Sequence, residues 1–195
     1  MKKIVWLSIA GFVLAGPASG QDKLKFRSTE WAGLVSGQVG NAFQVQTVNG
    51  VYRGPWFVGA GAGLDGYRLL SMPLFLSVSR EISLGKREGL FLFANGGTNI
   101  PLRNQSIPGY PYDAPMGNAW HPGLFMNAGL GYEWKLGENS DKAILVSIGY
   151  MEKKLTETNS GLSCPYCQPG PVAAPEQIKY EFLNRAYQFM VGFRW

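Results

Sequence analysis

Histidine occurs once in this chain, cysteine twice, and only 16% of the residues carry charge. Each scarcity excludes something. A zinc site built on Cys164 and Cys167 needs two further ligands, which the single distant His121 does not supply. A thioredoxin-like role for the Cys164-Pro165-Tyr166-Cys167 segment needs a strand leading into a helix, and nothing around it has that pattern. Blocks of like charge are absent, so there is no nucleic-acid footprint, and a net charge of +5 is too small to argue for an anionic partner. Beyond the first 20 residues no apolar run is long enough for a helix to cross a bilayer.

The N-terminus has a recognisable plan. Lys2 and Lys3 form a basic start, Ile4 to Leu14 an apolar stretch, and Ala18-Ser19-Gly20 a small-residue cleavage site before Gln21. This is the pattern of a secretory signal peptide, with cleavage expected between Gly20 and Gln21. Removing residues 1–20 from 195 leaves 175, and the loss of two lysines takes the net charge from +5 to +3. One domain, 21–195, is expected. Its 26 glycines and 13% aromatic content suit strands and tight turns better than a helical bundle.

Strict alternation is the dominant signal. Tyr187, Phe189, Val191, Phe193 and Trp195 share one face of the C-terminal segment, with Gln188, Met190, Gly192 and Arg194 on the other. Period-2 alternation marks a strand, and an apolar face with no opposing core suits lipid. The segment YQFMVGFRW resembles the terminal strand of Gram-negative outer-membrane β-barrels, which commonly ends in an aromatic residue and is read by the barrel-assembly machinery. The resemblance implies an all-β, eight-stranded antiparallel up-and-down transmembrane β-barrel in the cell outer membrane, in contact with outer-membrane lipid.

Turn signals divide the chain into about eight alternating segments. They run from Glu30 to Gln38, Ala42 to Val48, Trp56 to Tyr67, Met72 to Ile82, Gly89 to Asn99, Gly123 to Trp134, Ala143 to Glu152, and Tyr187 to Trp195. Asn49-Gly50 is read as a turn, and the faces of the fifth segment are ambiguous because it opens on a continuous apolar run. With a periplasmic N-terminus, the long connections from Ile100 to Pro122 and from Lys153 to Asn184 fall outside and the short ones inside, the asymmetry of bacterial barrels. Trp56, Tyr67, Tyr132, Trp134, Phe193 and Trp195 are read as interfacial girdle residues.

An eight-stranded barrel is just wide enough to be filled by its own side chains. Glu30, Glu133 and Arg194 are expected to form a polar cluster near the periplasmic end of the lumen, with Arg194 beside Glu30 where the last strand closes on the first. In an oxidising envelope Cys164 and Cys167 are expected to close a small disulfide in the last outer loop. The two long loops are rich in proline and tyrosine and are candidate surfaces for an extracellular ligand. The chain is read as a monomer with a structural or surface-binding role and with no cofactor, metal or catalysis expected. One alternative is a lipid A-modifying enzyme acting through His121. Lipid A hydrolases that resemble this chain place a serine two residues from the histidine, and here position 123 is glycine. The other is a secreted lipocalin-like ligand-binding barrel, which would turn its apolar faces inward.

Overall fold

The computed structural model describes residues 23–102, 118–137, 140–160 and 177–195. The alternating segments form strands: β1 (Lys25–Gly37), β2 (Gly40–Arg53), β3 (Trp56–Asp65), β4 (Ser71–Ser83), β5 (Glu88–Pro101), β6 (Asn118–His121), β7 (Gly123–Lys135), β8 (Ala143–Ser160) and β9 (Gln177–Arg194). All pairings are antiparallel, and the 9-stranded sheet closes on itself because β9 pairs with both β1 and β8. Eight strands make the barrel; the short β6 lies outside it, added to the upper part of β8. The architecture is thus the eight-stranded up-and-down barrel that the alternation implies, and closure leaves no barrel edge exposed.

Polarity is inside out relative to a soluble barrel. Leu76 is 68% exposed, Phe189 54% and Leu130 53%, whereas Gln44 is 0%, Gln188 3% and Asn127 4%. Lipid can cover the first set; water could not do so without a large hydrophobic penalty. The lipocalin-like alternative fails on this observation. An arginine in place of Leu130, on the lipid face of β7, should therefore cost roughly 2 to 4 kcal/mol if it sits near the bilayer midplane. Urea unfolding in lipid vesicles measures this, and Leu130→Ile, which keeps the face apolar, is the near-neutral control.

Several local expectations change. Asn49-Gly50 is not a turn: both residues pair within β1–β2 and β2–β3, and the chain reverses at Gly54-Pro55, where Gly54 has a φ of 56°. Asn-Gly is a strong turn signal only when the ladder does not continue past it, and here it continues to Tyr52 and Arg53. Strands β8 and β9 run 18 residues each, well beyond Glu152 and Tyr187, because their pairing persists to Ser160 and Gln177 through polar rungs above the membrane. The faces of β5 resolve with Phe91 inward and Leu90 and Leu92 outward. Tyr67 is not a girdle residue. It is 1% exposed, and its hydroxyl donates to the Arg185 carbonyl inside the upper barrel. In β4, Pro73 has no N–H to give, and the β3–β4 pairing lapses between Ala62↔Leu74 and Asp65↔Ser71.

Candidate functional site

The lumen holds three polar layers, each assembled from inward positions of different strands, together with a buried apolar cluster that includes Val48, Phe75, Phe125 and Met151. The lowest sits at the periplasmic end. Arg194 Nη1 donates to Glu133 Oε2 at 2.5 Å and to Glu81 Oε1 at 2.9 Å, and Arg27 also pairs with Glu81. Lys135 approaches Glu133 at 3.7 Å, and the Arg27 guanidinium lies 3.9 Å over the Tyr52 ring. Glu133 and Arg194 are 1% and 3% exposed, so their charges are paired away from water, as buried ions must be.

Glu133 and Arg194 meet in this layer, but Glu30 is not with them. It lies on the outward face of β1, opposite Phe193, while Thr29 is the residue across from Arg194. The parity of β1 is set by Arg27, which pairs inward with Glu81, and by Trp31, whose ring lies 6.0 Å from Phe91 and fills the space left by Gly192. A charged residue was a natural choice for the lumen, yet one strand cannot put both Trp31 and Glu30 inside. Arg27 and Glu81 complete the cluster. Glu81 was legible from the alternation of β4; Arg27 lies before the expected start of the first strand.

The middle layer is uncharged. Asn127 Nδ2 donates to Gln188 Oε1 at 2.7 Å, and Gln188 Nε2 donates to Gln44 Oε1 at 2.5 Å. Below it lies a cavity of about 60 Å³, bordered by Gln46, Asn95, Asn127, Ser147 and the Phe91 and Phe93 rings. That is well under the roughly 150 Å³ that holds benzene in an engineered protein cavity. Gln46 Nε2, Asn95 Oδ1 and Asn127 Oδ1 have no protein hydrogen-bond partner, which suits the cavity to water rather than to an organic ligand.

The upper layer closes the outer end. Lys153 is fully enclosed, and its ammonium donates to Asp65 Oδ2 at 2.9 Å, to the Tyr67 carbonyl at 2.6 Å and to Ser71 Oγ at 3.2 Å. Asp65 Oδ1 in turn accepts the Tyr67 N–H at 2.7 Å, which shapes the β3–β4 loop so that Tyr67 folds back into the lumen. Arg68 takes a left-handed φ of 64° at the loop tip and lays its guanidinium 3.8 Å over the Phe182 ring. Alternation along the third segment puts Asp65 inward, but nothing in the sequence signals Lys153, which falls just past the expected end of the seventh strand, at the start of a loop.

Above the barrel, β6, β8 and β9 form a small sheet. Trp120 lies 5.8 Å from Phe182, and Tyr180 stacks near the same ring at 6.4 Å. Ion pairs Arg185–Glu152 at 3.1 Å and Lys154–Glu181 at 2.8 Å brace the hairpin. The hydrogen bond and charge of Lys154 hold the Glu181 carboxyl below its ordinary pKa. His121 belongs to this sheet. Its Nε2 is 3.0 Å from Thr158 Oγ1 and its side chain is exposed. Among the described residues no group of three or more metal-ligating side chains could hold an ion. Gly20, Gln21, Cys164 and Cys167 lie outside the described residues.

An all-antiparallel closed barrel with an apolar outer band and an interior that packs polar layers with apolar side chains has the fold of the small eight-stranded outer-membrane β-barrels. No family model matches the chain, and no curated protein matches it in sequence. Among solved structures it is similar to Neisserial surface protein A (NspA), at 9% identity, with 89% of this chain and 98% of that chain covered and a TM-score of 0.51. It is also similar to the outer membrane protein OprG from Pseudomonas aeruginosa, at 12% identity, with 90% and 98% covered and a TM-score of 0.54. At these identities the likeness is one of fold.

Proposed function

We propose that this chain is a monotonously closed, non-catalytic outer-membrane barrel whose interior is structural and whose working surface is the sheet raised on its outer side. The observation that carries the reading is the continuation of β8–β9 past the barrel. At the top of β1 the partner is Ala186, yet β8 and β9 stay paired for nine more residues of β9, from Arg185 up to Gln177 opposite Ser160. A paired, ion-braced hairpin bearing Trp120, Tyr180 and Phe182 is a stiff, amphipathic surface, the kind that gives contact area with little entropy to lose on binding. The lumen supports the same division of labour, since buried ion pairs lie toward both of its ends. The fold and the signal-like N-terminus support outer-membrane residence, and the expected partners are membrane lipid, the assembly machinery and an extracellular ligand at the sheet. A role for His121 in lipid A chemistry is disfavoured by its exposed setting and its threonine partner.

Purified protein in planar bilayers should show no stepwise conductance. Cells displaying it should bind an array of glycans and matrix glycoproteins better than cells displaying a variant trimmed between Thr156 and Glu181. Discrete conductance steps would remove the sealed lumen, and equal binding by the trimmed variant would remove the binding surface.

A further inference from the structure

The outward face of β1 and β2 carries a polar island where the barrel should meet only lipid. Ser28, Glu30, Thr47 and Asn49 sit on two adjacent rungs, Ser28↔Asn49 and Glu30↔Thr47. Along the strands the island is bracketed by apolar rungs, Phe26↔Val51 on the periplasmic side and Ala32↔Val45 then Leu34↔Phe43 on the outer side. Phe26, Val51, Leu34 and Phe43 are all exposed to lipid, at 42% or more. Across the ladder Glu30 faces Phe193, and Ser28 exchanges backbone hydrogen bonds with Trp195. The carboxylate therefore lies between apolar rungs along the strands, with the aromatic end of β9 beside it.

The hydrogen bonds within the island run one way. Asn49 Nδ2 donates to Thr47 Oγ1 at 3.1 Å, Thr47 Oγ1 donates to Glu30 Oε1 at 2.9 Å, and Ser28 Oγ donates to Asn49 Oδ1 at 2.7 Å. Both hydroxyl protons are thus used inside. An amide nitrogen has two hydrogens and a carboxylate two oxygens, so one Asn49 N–H and Glu30 Oε2 are left over, and both residues are exposed. No cation among the described residues pairs with Glu30. A polar group in hydrocarbon needs a partner, and ionisable groups there mark function by default.

We infer that the island is an isologous contact between two copies of this chain in the membrane. The spare groups are complementary to themselves: the Asn49 N–H of one copy can donate to the partner's Glu30, and the second copy returns the same bond. This is the condition a two-fold interface imposes. Depth agrees as well. Strand β9 ends at Arg194 opposite Thr29, while β1 and β2 stay paired down to Lys25↔Tyr52, so register lines rise from β9 through β1 to β2. The diagonal pair Glu30 and Asn49 is thereby brought toward one level, where two parallel barrels can join them. Beside the island Asn49 faces Ala60 and Thr47 faces Ala62, and with Ala32 these short side chains let two barrel walls approach closely.

The test uses full-length protein with Cys164→Ser and Cys167→Ser, reconstituted in lipid vesicles at high dilution. Ala32→Cys should crosslink to a dimer with a short bifunctional maleimide. Leu92→Cys, on the far wall, should not. Asn49→Ala should weaken association by about tenfold or more, through loss of two equivalent intramembrane hydrogen bonds, while the barrel keeps its heat-modifiable gel mobility. Ala60→Leu, which removes no hydrogen bond but fills the contact, should weaken it too and covers the case in which Asn49→Ala does not fold. Equal crosslinking from Ala32→Cys and Leu92→Cys, or association unchanged in both variants, overturns the proposal. So does crosslinking of Ala32→Cys in cell membranes to a different protein in place of a second copy.

Discussion

Asp65→Ala should destabilise the folded barrel by roughly 3 to 5 kcal/mol, the cost of leaving a buried charge without its counter-ion. Lys153 is enclosed to 0% exposure, and among the described residues Asp65 is the only anion paired with its ammonium, which also meets the Tyr67 carbonyl and the Ser71 hydroxyl. Asp65 also accepts the Tyr67 N–H, so its loss loosens the loop that delivers the Tyr67 ring and carbonyl. A double variant, Asp65→Leu with Lys153→Met, removes both charges and should recover most of the loss, because paired hydrophobic replacements of a buried ion pair are often close to neutral. Urea unfolding in lipid vesicles, followed by gel mobility, measures both. If the double variant is as unstable as the single one, the upper layer owes its stability to something other than this pair.

Glu133→Ala should have a loss of similar size, roughly 3 to 5 kcal/mol, at the other end of the lumen. Among the described carboxylates paired with it, Arg194 would keep Glu81, which it already shares with Arg27, besides the Asp141 carbonyl that its Nε meets. Two guanidinium groups would then compete for one anion in a closed space. Glu133→Gln should be milder, since it retains an acceptor for Arg194 and loses only the charge. The informative comparison is Glu30→Ala, which should change the monomer's stability by less than about 1 kcal/mol, as surface substitutions usually do. A loss at Glu30 equal to that at Glu133 would return Glu30 to the lumen cluster and contradict the outward parity of β1.

Most of the barrel is legible in the sequence because side-chain alternation is a local property of a strand. Each of Leu74, Leu76 and Val78, or Leu124, Met126 and Leu130, announces its face without reference to any other strand. The positions of the long connections then give the hand of the topology with respect to the membrane. Errors appear where local pattern and long-range pairing disagree. Asn49-Gly50 carries turn chemistry but is held in the ladder by partners on both sides, and the polar upper halves of β8 and β9 lack the apolar rhythm that would have extended them.

What the sequence by itself determined is the set of eight barrel strands without β6, the lipid-facing parity of six of them, and the closing aromatic strand. Tertiary structure alone decided which charges meet. Arg194 and Glu81 are 113 residues apart, and Lys153 and Asp65 are 88 apart, so their contact depends on closure of the whole barrel. It also decided the parity of β1, where Trp31 and Arg27 compete with Glu30 for the inside. A period of two fixes that neighbours alternate, but the choice of which neighbour goes in belongs to the space and the counter-charges waiting on the opposite wall.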